Sequence, residues 1–149
     1  MSSKHVWPAA GLLAAVVLPL AACGTASAPE PAPPAKIVPV TGSNIPRLEL
    51  TPSAVHRLGI QTQPVIAAAP GTAGATEVIP YPAVVYDTDG SSWAYVAVTS
   101  GTYVRRPITV TVIRGDVALL SAGPPVGARV VTVGTAELLG TEYNISGEE

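Results

Sequence analysis

The chain has 149 residues, of which 48% are hydrophobic and only 5% aromatic, with no Phe at all. That length suits one domain, and 8 Lys+Arg against 10 Asp+Glu leaves no basic patch of the size a nucleic-acid partner needs. With 14 Gly and 16 Pro, strands and turns are favoured over long helices.

The chain begins with a targeting pattern. Lys4 supplies a positive charge, and residues 9–20 form an apolar stretch interrupted by Pro19. The stretch falls short of the roughly 20 apolar residues of a bilayer span and has the length of a signal-peptide core. Ala21 and Ala22 then precede Cys23, the only cysteine, which can have no internal disulfide partner. Leu20-Ala21-Ala22-Cys23 resembles the lipobox of bacterial lipoproteins. The resemblance implies that residues 1–22 are a lipoprotein signal peptide and that the Cys23 thiol receives a diacylglyceryl group. Two acyl chains anchor stably where one is marginal. Cleavage removes Lys4 and His5, leaving 7 Lys+Arg against 10 Asp+Glu and a single histidine, His56.

Residues 23–44 are read as the lipidated Cys and a Pro-rich tether. Pro29, Pro31, Pro33, Pro34 and Pro39 argue against helix and central strand. At about 3.1 Å per residue, a polyproline-like spacer over residues 24–44 would reach roughly 65 Å.

The folded domain is expected over residues 45–145, with a polar tail at 146–149. Arg47, Leu48, Glu49 and Leu50 alternate as a half-buried strand does. Thr51 then serves as an N-cap and Pro52 as the first helical residue. Gly59 suits the left-handed residue that closes a short helix, with Val55 and Ile60 in contact across the closure. His56 falls on that helix. A metal role needs several converging ligands, and the cleaved chain has no second His, no Met and no free thiol. His56 is therefore read as a helix-surface residue, and no metal site or cofactor is expected. Gln61 and Gln63 share one face of the next strand, which Pro64 confines to an edge.

Residues 67–77 are small and are read as a flexible internal linker. Beyond them, residues 78–139 read as short strands separated by turns. Asp87-Thr88-Asp89-Gly90 is a turn, since the remainder of a calcium loop is missing. Trp93, Tyr95 and Ala97 lie on one face of the following strand, with Ala94, Val96 and Val98 on the other. Ile108, Val110 and Val112 are expected to face one way, opposite Thr109 and Thr111. Arg114-Gly115-Asp116 is an adhesion tripeptide in other settings, but here it stands where a tight hairpin turn is needed. Gly123-Pro124-Pro125-Val126-Gly127 is a wider turn. The stretch from Ala136 to Leu139 reads equally as a last strand or a single helical turn.

Five of these pieces, in order, resemble one family. They are Thr51-Pro52 through Gly59-Ile60-Gln61-Thr62; Ile79-Pro80-Tyr81-Pro82-Ala83-Val84-Val85; Tyr103-Val104-Arg105-Arg106-Pro107-Ile108-Thr109-Val110; Gly123 through Val131; and Gly134 through Leu139. The family is the periplasmic adaptor subunits, or membrane fusion proteins, of RND-type efflux pumps. Pro124 stands where the family usually has Leu, and Ala128 where it usually has an acidic residue, which puts local turn detail in doubt. The resemblance covers about residues 48–142 and only the membrane-proximal domain. Eleven residues between Ile66 and Val78 span at most roughly 40 Å, too little for the other three parts of such adaptors.

The resemblance implies a mainly β fold, a small β-roll or barrel-like membrane-proximal domain with one short helix. It implies a non-enzymatic, lipid-anchored adaptor on the extracytoplasmic side of the cell membrane, with a permease of an efflux complex as partner. Self-association stays open. Arg105 and Arg106 are the candidate partner contacts, because alternation puts at least one of them on the solvated face beside a proline. The alternative is an extracytoplasmic solute-binding or sensing lipoprotein, which would need a pocket with convergent polar groups. An exported hydrolase would need a nucleophile beside a base, and no such spacing occurs.

Overall fold

The computed structural model describes residues 33–72 and 74–143. The expected signal peptide, Cys23 and the polar tail lie outside the described residues. Eleven strands and two helices follow in the order β1 (Ala35–Val38), β2 (Arg47–Leu50), α1 (Pro52–Leu58), β3 (Gln61–Pro64), β4 (Ile66–Ala67) and β5 (Glu77–Pro80). After a 3₁₀ turn at Tyr81–Ala83 come β6 (Val85–Tyr86), β7 (Ser92–Thr99), β8 (Thr102–Pro107), β9 (Thr109–Arg114), β10 (Val117–Ala122), β11 (Arg129–Val133) and α2 (Thr135–Glu142). The protein is mainly β.

The strands form two antiparallel sheets. The larger runs β1-β2-β8-β7-β11-β3, with β6 also on β7, and the smaller runs β4-β5-β10-β9. They do not close into a barrel. Strand alternation assigns the layers. In β7, Ala94 and Tyr95 are both fully buried yet belong to different cores, and Val130 and Val131 of β11 do the same. Successive side chains of a strand point to opposite faces. One face of the larger sheet therefore packs Tyr95, Tyr103 and Val131 against Ala54 of α1 and Leu138 of α2. The other packs Ala94 and Val130 against Ile79, Ala118 and Leu120 of the smaller sheet. Trp93 and Ala97 join the helical side and Val96 the sheet side, as expected from the alternation.

Local chemistry fixes the turns. The Thr51 side chain accepts from the Ala54 N–H, Pro52 opens α1, and Gly59 closes it at φ 61°, where the Ile60 N–H donates to Val55 O. β3, carrying Pro64, is an outer strand of its sheet. The β9–β10 hairpin turns through Gly115 and Asp116, with Arg114 facing Val117.

Four features depart from the sequence reading. First, the domain begins inside the expected tether. Ala35–Val38 pairs with Arg47–Leu50, and the Thr51 N–H donates to Pro34 O at 3.0 Å. Pro34 and Pro39 bracket this strand rather than interrupt it, and an outer strand tolerates flanking prolines. Second, residues 67–77 are not a free linker. Ile66 pairs with Val78 and Ala67 with Glu77, while the Thr76 N–H donates to Leu120 O at 2.7 Å. The stretch is the loop of a hairpin.

Third, Val112 leaves the face it was expected to share with Ile108 and Val110. Leu119 faces Val112 but Leu120 faces Val110, so Thr111 is the extra residue of a β-bulge, which reverses alternation. Ile108 and Val110 pack into the inner core, whereas Val112 pairs with Leu119. Fourth, the last element is an eight-residue helix, α2, with Leu138 fully buried. The described residues thus hold a second short helix beside α1. No helix among the described residues is long and apolar enough to cross a membrane.

Two glycines test this architecture differently. Gly59 sits at φ 61° with open space where a Cβ would be, whereas Gly101, at φ 77°, would place a Cβ 2.7 Å from Leu50 O. Gly59→Ala should therefore cost about 1 kcal/mol, the left-handed backbone penalty alone. Gly101→Ala should cost about 2 kcal/mol or more, because β2 must also move. Urea denaturation of the two variants checks this, and equal losses would contradict the close approach of Gly101 to β2.

Candidate functional site

The two adjacent arginines of β8 separate by the same period-two rule. Tyr103 and Arg105 point to the helical side and are buried, while Arg106 is exposed. Arg105 is therefore corrected as a candidate partner contact: it retains 8% of its surface and is occupied internally. Arg106 has no ion pair among the described residues.

Arg105 gathers the ends of three elements. Its Nη1 donates to Asp87 Oδ2 at 2.7 Å, and its Nη2 lies 3.1 Å from Glu142 Oε1 at the end of α2. The guanidinium carbon lies 4.4 Å from the centre of the Trp93 ring, an arrangement in which the ring face attracts the cation. The Tyr143 hydroxyl donates to Asp87 Oδ1 at 2.7 Å, and the Tyr95 hydroxyl donates to Glu142 Oε2 at 2.6 Å. The bond from Tyr143, the Thr88 N–H and then Arg105 hold the Asp87 carboxyl down at about 2. Burial pushes the Tyr95 phenol well above its usual range, and Glu142 beside it adds to the effect. Sequence reasoning assigned Asp87 to a turn and gave Glu142 and Tyr143 no role. The group joins the sheet to α2.

Arg106 stands instead at the rim of a groove of about 470 Å3 on the side of the larger sheet that faces the smaller one. Val96 and Val98 of β7 form its floor, and Pro107, Pro124 and Pro125 form much of its wall. Val98 is 54% exposed. Prolines offer no N–H donor, so the groove presents apolar surface and the single charge of Arg106. Charge-depleted apolar surface with an arginine at its edge is the composition typical of protein interfaces.

His56 is exposed on α1, as expected for a helix-surface residue. Among the described residues, no group of three or more His, Cys, Asp or Glu side chains comes together. Comparisons of the chain with protein-family models, curated proteins and solved structures return no match.

The two arginines should behave oppositely on truncation. Arg105→Met leaves two carboxylates without their cation and should destabilise by about 2 kcal/mol or more, whereas Arg106→Met should stay within about 0.5 kcal/mol. The acid limb carries a second signature. Because folding lowers the Asp87 pKa from 3.8 to about 2, its stabilising contribution is complete above about 4 and is lost as pH falls toward 2. Tyr143→Phe removes the largest cause of that shift, so denaturation midpoints between pH 4 and 2 should fall less steeply in the variant than in wild type. Parallel curves would show that the Tyr143–Asp87 bond does not set this titration.

Proposed function

We propose that the chain is a membrane-anchored lipoprotein acting as a minimal adaptor or accessory subunit of an RND-type efflux transport complex. The observation that carries the reading is the ordered set of five segments resembling periplasmic adaptors. Each lies on its own element of a mainly β domain: the capped helix α1, the β5 exit, β8, the β10–β11 turn and α2. The hairpin closing residues 67–77 supports the reduced form. In a full adaptor this gap would hold the barrel, sandwich and helical parts, and here its two ends are strand partners.

The domain docks on the extracytoplasmic face of a permease through the groove beside Arg106. An arginine at the edge of an apolar surface pairs bidentately with a carboxylate, which suits a permease loop carrying Asp or Glu next to an apolar side chain. Lipidation at Cys23 keeps the domain at that surface. With β1 included, only 10 residues separate Cys23 from Pro34, a reach of at most roughly 40 Å.

Crosslinking in native membranes, followed by identification of the captured protein, tests the reading. Wild type should capture a permease, and Arg106→Glu should weaken that capture while leaving the melting temperature nearly unchanged. Undiminished capture would discard Arg106 as the contact, and capture of no permease by wild type would discard the adaptor reading. Cys23→Ser should leave an unprocessed precursor or release soluble protein; a variant that fractionates like wild type would contradict lipidation.

A further inference from the structure

A second depression lies where α1 meets the turn between β7 and β8. Two adjoining cavities of about 560 and 390 Å3 share Val55, Ile60, Ser100 and Gly101 as walls. Together they form one furrow, and the larger part falls within the range of roughly 300–1,000 Å3 typical of small-molecule sites. Its apolar walls include Leu50, Val55, Ile60, Ala97 and Val98, and they are predominantly aliphatic.

The polar groups are unevenly placed. His56 and Gln61 border only the first cavity, and Thr62 and Arg129 only the second. No carboxylate lines either one among the described residues. Arg129 is held rigidly: its Nε donates to Thr62 Oγ1 at 2.8 Å and its Nη2 to Thr62 O at 2.7 Å. Its Nη1 has no partner among the described residues. A fixed cation at one end of an aliphatic furrow with no competing acid selects an elongated ligand with one anionic end.

We propose that this furrow binds a long-chain fatty acid, with its carboxylate at Arg129 and its acyl chain along Ile60, Val55 and Leu50. Charge complementarity chooses an acid over a neutral or cationic amphiphile. The chain geometry supplies the ligand. The furrow ends at Pro52, next to Thr51, whose N–H holds Pro34 O. If Cys23 is acylated as proposed above, the chain length from Cys23 to Pro34 keeps the mouth within roughly 40 Å of a bilayer. The depression is distinct from the Arg106 groove, although Val98 borders both, and the proposal rests on the proposed lipidation of Cys23 but not on the adaptor reading.

The test uses the full chain in phosphatidylcholine vesicles and a photoreactive diazirine palmitate as probe. Labelling should concentrate on peptides containing Val55, Ile60 and Ser100, and excess unlabelled palmitate should compete it away. Ser100→Trp, which fills the furrow from an exposed position, should remove most of the labelling without changing the circular dichroism spectrum. Arg129→Gln should lower labelling by the acid roughly fivefold, the worth of one part-exposed ion pair, while leaving labelling by the matching diazirine alcohol unchanged. The wild-type competition needs no variant to fold. Labelling spread over the surface, or centred on the Arg106 groove, would overturn the proposal. Equal competition by phosphatidylglycerol would overturn the fatty acid in favour of a membrane phospholipid.

Discussion

β7 and β11 are buried on both faces, and the rest of the domain is arranged to cover them. Ala94 and Tyr95 are neighbours in sequence and neither exposes any surface. The central residues of a strand in that position must be apolar, and they need a layer on each side. The smaller sheet supplies one layer. The other is assembled from two helices of seven and eight residues, each too short to persist alone. Their helicity is a consequence of burying Ala54 and Leu138 against the sheet.

This dependence explains the ionic group around Arg105. A short helix at the end of a domain is prone to fray, and α2 has no side-chain N-cap. Its last turn is instead held through Glu142, bonded by Arg105 and Tyr95, and through Tyr143, bonded to Asp87. Breaking a buried pair costs more than forming it yields over an apolar substitute. The group therefore acts mainly to specify where α2 ends against the sheet. The tyrosine and tryptophan rings around the guanidinium exclude water from it, which strengthens each bond.

Features whose cause lies within a few residues were legible in the sequence. The Thr51 cap, the Gly59 closure, the Gly115 turn and the two faces of β7 all follow from chemistry inside a window of about one turn or one strand. Features set by distant partners were not. Arg105 and Asp87 are 18 residues apart, and Arg105 and Tyr143 are 38 apart. One sequence carries no mark that these ends meet. β1 was hidden because its prolines signal extended spacer and outer strand alike, and only β2 decides between them. The bulge at Thr111 was hidden because Thr109, Val110, Thr111 and Val112 alternate as an unbroken strand would. The extra residue becomes visible only against β10.

The pair Arg105 and Arg106 shows how one step in register divides structure from surface. Both sit in β8 and carry the same charge and the same reach. The inward arginine is buried and paired with two carboxylates and an aromatic face, so its charge is out of reach of another molecule. The outward one lies over Val96, Val98 and three prolines with its charge unspent. The same logic holds for Arg129, which is tied to Thr62 at two nitrogens yet keeps the third beside an aliphatic furrow. Around these three positions, the larger sheet carries the ionic group and the aliphatic furrow on its helical side and the Arg106 groove on its other side, each depression bordered by one arginine. The proposed partner loop and the proposed fatty acid would each meet a different arginine, and neither depression shares a side chain with the ionic group that holds α2 in place.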